Sequence, residues 1–258
     1  MKRFEVLSLA LLAVFTAPRA GAQEISNLEG GRPVTVEDAA PIEHGRLSGS
    51  FDYAYARRLD GVEYAGPGLS LDYGVLRGFE LGAETRYLTN PRLNARRGIG
   101  SGDLDVHALA SVLAEDARRP GIAVRVDGFL PTGFASHGAD FSGTLLATRS
   151  FDEFRLHANV GSLYVGDRRP GARRNRLFAA AGIDTPPHGA WDTTTMGVAD
   201  VVVRQSVLTD GKVSMGLEIG VKRRVGIQTI FFAGLGTEIL GERDRARYRG
   251  LLGFSHAF

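Results

Sequence analysis

The sequence predicts an all-β protein: a closed antiparallel up-and-down transmembrane β-barrel of about twelve strands. Three observations carry that expectation: sustained period-2 alternation, the length of the alternating segments, and an aromatic residue at the carboxy terminus. The alternation is plainest over 212–222. There Val213, Met215, Leu217, Ile219 and Val221 are apolar, while Lys212, Ser214, Gly216, Glu218, Gly220 and Lys222 are polar, charged or glycine. Period 2 sends the two sets to opposite faces of a strand, whereas a helix would scatter the apolar set around its circumference. A soluble sandwich with one wet face would give the same local pattern, so the rest of the chain has to choose.

Composition narrows the choice. The 34 glycines, 14 phenylalanines and 7 tyrosines among 258 residues suit many short strands and turns. Only 43% of residues are apolar, which does not suggest helical membrane spans but fits a barrel, where only alternate strand residues meet lipid. There is no cysteine, hence no disulfide framework, and a ring of strands needs none. Net charge is +2, and the basic side is nearly all arginine.

Residues 1–22 read as a secretory signal peptide: Lys2 and Arg3, an apolar run from Val6 to Ala17, then Ala20-Gly21-Ala22 before Gln23. The run is too short to span a bilayer as a helix. Residues 23–45 form a polar, proline-bearing leader with no useful period, placed in the periplasm or tucked against the barrel mouth. The barrel is expected over 46–258. Its first strand sets Leu47, Gly49, Phe51, Tyr53 and Tyr55 against Ser48, Ser50, Asp52 and Ala54. After a turn at Asp60-Gly61, Leu69, Leu71, Tyr73 and Val75 alternate with Ser70, Asp72 and Gly74. A tight turn at Arg77-Gly78 leads to Phe79, Leu81, Ala83, Thr85 and Tyr87, opposite Glu80, Glu84 and Arg86. Leu104 to Val112 and Ile122 to Leu130 follow in the same manner. Thr144 to Ser150 loses the period, because Leu145 and Leu146 are adjacent. Phe154 to Tyr164 restores it, and Arg176 to Asp184 is short. Thr193 to Val207 is β-branched, yet Val201-Val202-Val203 blurs its faces. After 212–222 come Ile227 to Ile239 and Tyr248 to Phe258. Most segments have roughly the 9–11 residues that a tilted strand needs to cross a bilayer.

The face opposite the apolar set carries the candidate lumenal groups: Asp72, Glu80, Glu84, Arg86, Asp103, Asp105, His107, Arg125, Asp127, Arg155, His157 and Glu218, together with Asp52, Arg176, Lys222 and Glu238. Mixed charges in a bore only about twelve strands wide pair across it, so a small or occluded passage is expected. Arginines in the longer connections (Arg57, Arg58, Arg92, Arg96, Arg97, Arg168, Arg169, Arg173, Arg174, Arg243, Arg245, Arg247) suit lipopolysaccharide phosphates as well as plain solvation. No motif accompanies them that would indicate nucleic acid.

Chemistry finds little footing. Ser136-His137 and Ser255-His256 are sequence neighbours, which on a strand point to opposite faces. His107 and His157 face the expected lumen, with Ser111 along the first of these strands, but no third orienting group stands out. His107 shares a face with Asp103 and Asp105 at spacing compatible with a metal site; the ordinary polar wall is the reading adopted, with no metal and no cofactor.

The run Gly98-Ile99-Gly100-Ser101-Gly102-Asp103-Leu104, then Pro120-Gly121-Ile122-Ala123-Val124 and Leu130-Pro131-Thr132-Gly133, resembles the outer-membrane "phenol degradation meta-pathway" family. The segment from Gly31-Arg32-Pro33 to Glu37-Asp38-Ala39 and the last strand resemble it too. The resemblance implies a barrel concerned with hydrophobic or aromatic compounds. The final face, Leu252, Phe254, His256 and Phe258, is similar to the signal by which outer-membrane barrels are received by the barrel assembly machinery, with Phe258 as its terminal aromatic. The expectation is thus a non-enzymatic transporter or narrow channel for a small solute in the bacterial outer membrane. A structural or surface-interaction barrel with an occluded lumen is the alternative, and a lipid hydrolase the third reading.

Overall fold

The computed structural model describes residues 25–258 apart from 26, 30, 59–62, 90–98, 134–137, 168–169, 186–193 and 242–245. The expected signal peptide therefore lies outside the described residues, as do the Ser136-His137 pair and Arg92, Arg96, Arg97, Arg168, Arg169, Arg243 and Arg245.

Among the described residues, twelve strands form one ring. They are β1 (Leu47–Arg58), β2 (Glu63–Leu76), β3 (Phe79–Thr89), β4 (Ile99–Leu113), β5 (Gly121–Leu130) and β6 (Asp140–Ser150). The second half comprises β7 (Arg155–Tyr164), β8 (Asn175–Asp184), β9 (Thr195–Arg204), β10 (Ser214–Arg224), β11 (Thr229–Leu240) and β12 (Ala246–Ala257). Each strand pairs antiparallel with its sequence neighbours. The first and last close the ring, from Ser48 opposite Ala257 to Arg57 opposite Tyr248. Closure leaves no unpaired edge, as hydrocarbon around the wall requires.

The alternation resolves as an outside that is apolar and an inside that is polar. Ile219 is 62% exposed and Leu235 65%, whereas Asp52 and Asp184 are 0% and 1% exposed. A stacked sandwich would bury the first pair and wet the second. The reverse arrangement is stable only where oil, not water, lies outside.

Residues 25–45 are the main departure from expectation. The leader read as periplasmic, or tucked against the barrel mouth, has its described residues up to Ile42 inside the ring, while Glu43 and His44 are exposed. It has no strand to pair with, so wall side chains take its amide groups: Thr35 N–H donates to Glu218 (2.7 Å), Val36 to Asp200 (2.7 Å), Glu37 to Asn159 (2.8 Å), Ala39 to Thr148 (2.9 Å) and Ile42 to Glu80 (2.7 Å). These acceptors stand on β10, β9, β7, β6 and β3, most of the way round the wall. Buried backbone donors must find partners, and a polar lumen supplies them. The segment's apolar side, Ile25, Leu28, Val34 and Val36, packs on Ala180, Met196, Val198, Val202 and Ile230 of β8, β9 and β11. Ala39 sits in a second cluster with Leu109, Ala123 and Leu146.

Glycines in the wall make the room. Gly220 and Gly234 face each other across β10 and β11, and a Cβ on Gly220 would come 2.5 Å from Pro33 Cγ. A Cβ on Gly234 would run into the Pro33 carbonyl oxygen, and one on Gly182 would lie 2.6 Å from Val36 Cγ1.

Candidate functional site in the lumen

Most of the polar residues expected on the inner face fall into three groups, each joined to the segment inside the ring. In the first, Asp52 accepts from Arg32 Nε (3.3 Å) and from Arg86, while Glu84 pairs with both guanidiniums. Arg32 also reaches Glu29 (3.2 Å), so one buried arginine of the segment gathers three carboxylates. Beside it, Arg125 bridges Glu37 (2.8 Å) and Asp127 (2.6 Å), and Ser142 donates to the other oxygen of Asp127 (2.5 Å).

The second group is built on β6, β7 and β8. Arg155 pairs with Asp184 through two bonds and lies 3.5 Å from Asp38. His157 Nε2 is 2.8 Å from Asp184 and its Nδ1 3.0 Å from Thr148 Oγ1. A hydroxyl, an imidazole and a carboxylate in line resemble a hydrolytic relay. However, Thr148 Oγ1 is buried and already accepts the Ala39 N–H, so the array holds the segment rather than a substrate. Glu218 on β10 takes Thr35 N–H and pairs with Arg249, and Lys222 reaches the Asn27 carbonyl.

The third group is Asp72 (β2), Glu80 (β3) and His107 (β4). Asp72, Gly82, His107 and Asp127 form one lateral row across β2–β5. A Cβ on Gly82 would collide with both Asp72 Oδ1 and the His107 ring, so its absence lets those two side chains meet. Asp103 is not part of this group: it accepts the Gly133 N–H (3.0 Å) beside the connection after β5. Asp105 lies nearer, within 4.8 Å of His107 and Asp127 by its carboxylate oxygen.

Charge in this half is unequal. Asp52, Asp72, Glu80, Glu84, Asp105 and Asp127 line β1–β5, and the segment adds Glu29 and Glu37; the guanidiniums among them are Arg32, Arg86 and Arg125. On the segment itself, burial pushes the Glu37 carboxyl up to about 7 against the pull of Arg125, and Asp38 up to about 6 against that of Arg155.

Sequence reasoning did not single out Asp184, Asp200, Thr148 or any residue of 25–45 as part of this site. One signal was available: Glu29, Arg32, Glu37 and Asp38 put both charge signs into a stretch too polar to fold on its own.

No family model matches the chain, and no curated protein matches it in sequence. Solved structures do match its fold. The COG4313 outer-membrane channel from Pseudomonas putida F1 superposes with a TM-score of 0.66 at 12% identity, over 86% of this chain and 98% of that one. The NanC porin gives 0.58 at 9% identity, covering 81% of this chain and 98% of the porin. The KdgM porin, solved with disordered oligogalacturonate, gives 0.57 at 10%, covering 81% and 99%. The chain thus has the twelve-stranded closed architecture of outer-membrane channel barrels.

Proposed function

We propose that the protein is an outer-membrane channel for small solutes, held closed in this state by its own segment 25–45. The observation that carries the reading is that five backbone amides of this segment are bonded to side chains of five different wall strands. A barrel that served only as a scaffold could fill its bore with bulky wall side chains. Here the wall keeps glycines and polar acceptors, and a removable segment does the filling.

The two sides of the bore suggest the solute. Met196, Val198, Val202, Ile230 and Phe232 put apolar side chains on the inner face of β9 and β11, broken by Asp200, Glu218 and Lys222, and this side faces the more acidic half on β1–β5. With the segment displaced, the passage would suit a small compound with an apolar or aromatic body and a polar head. Export through the signal peptide 1–22, reception of Phe258 by the assembly machinery, and binding of lipopolysaccharide phosphates belong to the same proposal. Arg174 over Tyr164 (5.6 Å) and Arg247 over Tyr248 (5.3 Å) support the last, since both are exposed and stand on aromatic rings at strand ends. Arg173 is spent on the carbonyls of Leu208 and Thr209. No catalytic role is proposed.

The occluded, surface-acting barrel remains a second reading, favoured by the same filled lumen, and one experiment separates the two. Deleting residues 25–44 while keeping the barrel is expected to turn rare, brief conductance in planar bilayers into a steady open level. A deletion variant that still runs as a heat-modifiable band yet stays silent would reject the channel and leave the occluded barrel.

A further inference from the structure

Asp72, Glu80 and His107 come from three adjacent strands and converge inside the ring, each buried. His107 Nε2 lies 3.1 Å from Asp72 Oδ1 and 3.5 Å from Glu80 Oε1. At those distances an imidazolium ion pair would aim its N–H at one oxygen. Neither ring nitrogen makes a hydrogen bond of acceptable angle, and Asp72 Oδ2 has no partner either. Buried polar atoms left in that condition are rare and point to something that completes them. The spacing indicates what. Donors about 2.0–2.2 Å from a tetrahedral zinc ion stand about 3.3–3.6 Å apart, close to the two separations found here.

Two further features agree. Glu80 is held by its other oxygen, which accepts the Ile42 N–H at 2.7 Å, leaving Oε1 turned to the cluster; metal-binding carboxylates are commonly oriented in this way. Gly82 stands between Asp72 and His107 and supplies the only side-chain-free position that lets them meet within this row. The acidic excess of this half of the lumen adds the electrostatic reason: buried carboxylates outnumbering their guanidiniums call for a cation.

We infer that Asp72, Glu80 and His107 form a binding site for a divalent transition-metal ion of the zinc class, at the seam between the wall and the segment inside it. One imidazole and two carboxylates suit zinc, or cobalt in its place, better than calcium or magnesium, which prefer oxygen donors alone. The inference does not depend on whether any solute passes the bore.

The test uses the whole mature protein, refolded in detergent without a polyhistidine tag and loaded with Zn²⁺ or Co²⁺ alone. After gel filtration, the wild type is expected to retain a single zinc ion per chain and, with Co²⁺, to show visible absorption of a low-coordinate site. His107→Ala should lose both signals, and the exposed-site control His44→Ala should keep them. Asp72→Asn, which changes no volume, should also lose them and carries the test if His107→Ala gives no heat-modifiable band. Absence of retained zinc in the wild type, or retention undiminished in a folded His107→Ala or Asp72→Asn variant, would overturn the site.

Discussion

At the scale of single residues, the lumen is governed by what a buried charge needs. Arg32 can sit nearly sealed from solvent because Glu29, Asp52 and Glu84 surround it. Glu37 is the more revealing neighbour, because burial lifts its pKa from 4.5 to about 7. It faces Arg125 and Asp127 on β5 and Glu80 on β3, and its backbone bonds Asn159 on β7. A carboxyl with a raised pKa in the docked state binds its proton more tightly there than when released. Docking is therefore favoured fully below 4.5, and that contribution is lost as the pH rises through 7. Arg125 keeps Asp127 when Glu37 is neutral, so protonation does not strand it. Single-channel recordings at fixed salt should show open probability falling between pH 8 and pH 5, roughly the window around these pKa values. Glu37→Gln should flatten the profile; a wild-type trace indifferent to pH, or one that opens on acidification, would contradict the linkage.

At the scale of elements, the strands were legible because each meets two different media on its two faces, and β10 shows this without interruption. The two segments that resisted are informative for the same reason. β9 carries Val201-Val202-Val203 and β6 carries Leu145-Leu146. In both, the inward member, Val202 or Leu146, is fully buried against the segment in the lumen rather than facing water. Alternation failed where the inside is locally dry. The segment itself left no period to read, since its course is dictated by side-chain acceptors on five different strands and not by its own repeat. For the candidate site this means that the polar wall could be anticipated, whereas the pairing of Asp72 with Glu80 and His107 depended on lateral register across three strands. Replacing Gly234 by alanine tests the fit of the segment without touching any charge. Its Cβ meets backbone at Pro33, so protease access to residues 25–45 should rise while the barrel band on gels stays heat-modifiable; unchanged protection would show that the groove is not tight.

For the whole molecule, the decisive property is the belt of exposed Leu, Ile, Val, Phe and Tyr around a ring with a charged interior. An arginine in place of Ile219, which stands outward on β10, should destabilise the barrel in lipid by about 2–4 kcal/mol if it lies near the bilayer centre. Denaturant titration of barrels refolded into liposomes measures this, and a change within ~0.5 kcal/mol, ordinary for a watery surface, would remove lipid from that face.

The position of Gly45 sets how far the interior stretch can travel. Its N–H bonds the Gly74 carbonyl, and β1 starts two residues later, paired with β12 where the ring closes. The stretch is therefore a tethered plug: once off the wall it stays covalently joined to β1, at an effective concentration set by the leash and not by how much protein is present. Its return to the bore is intramolecular, so the balance of open and shut should be indifferent to dilution.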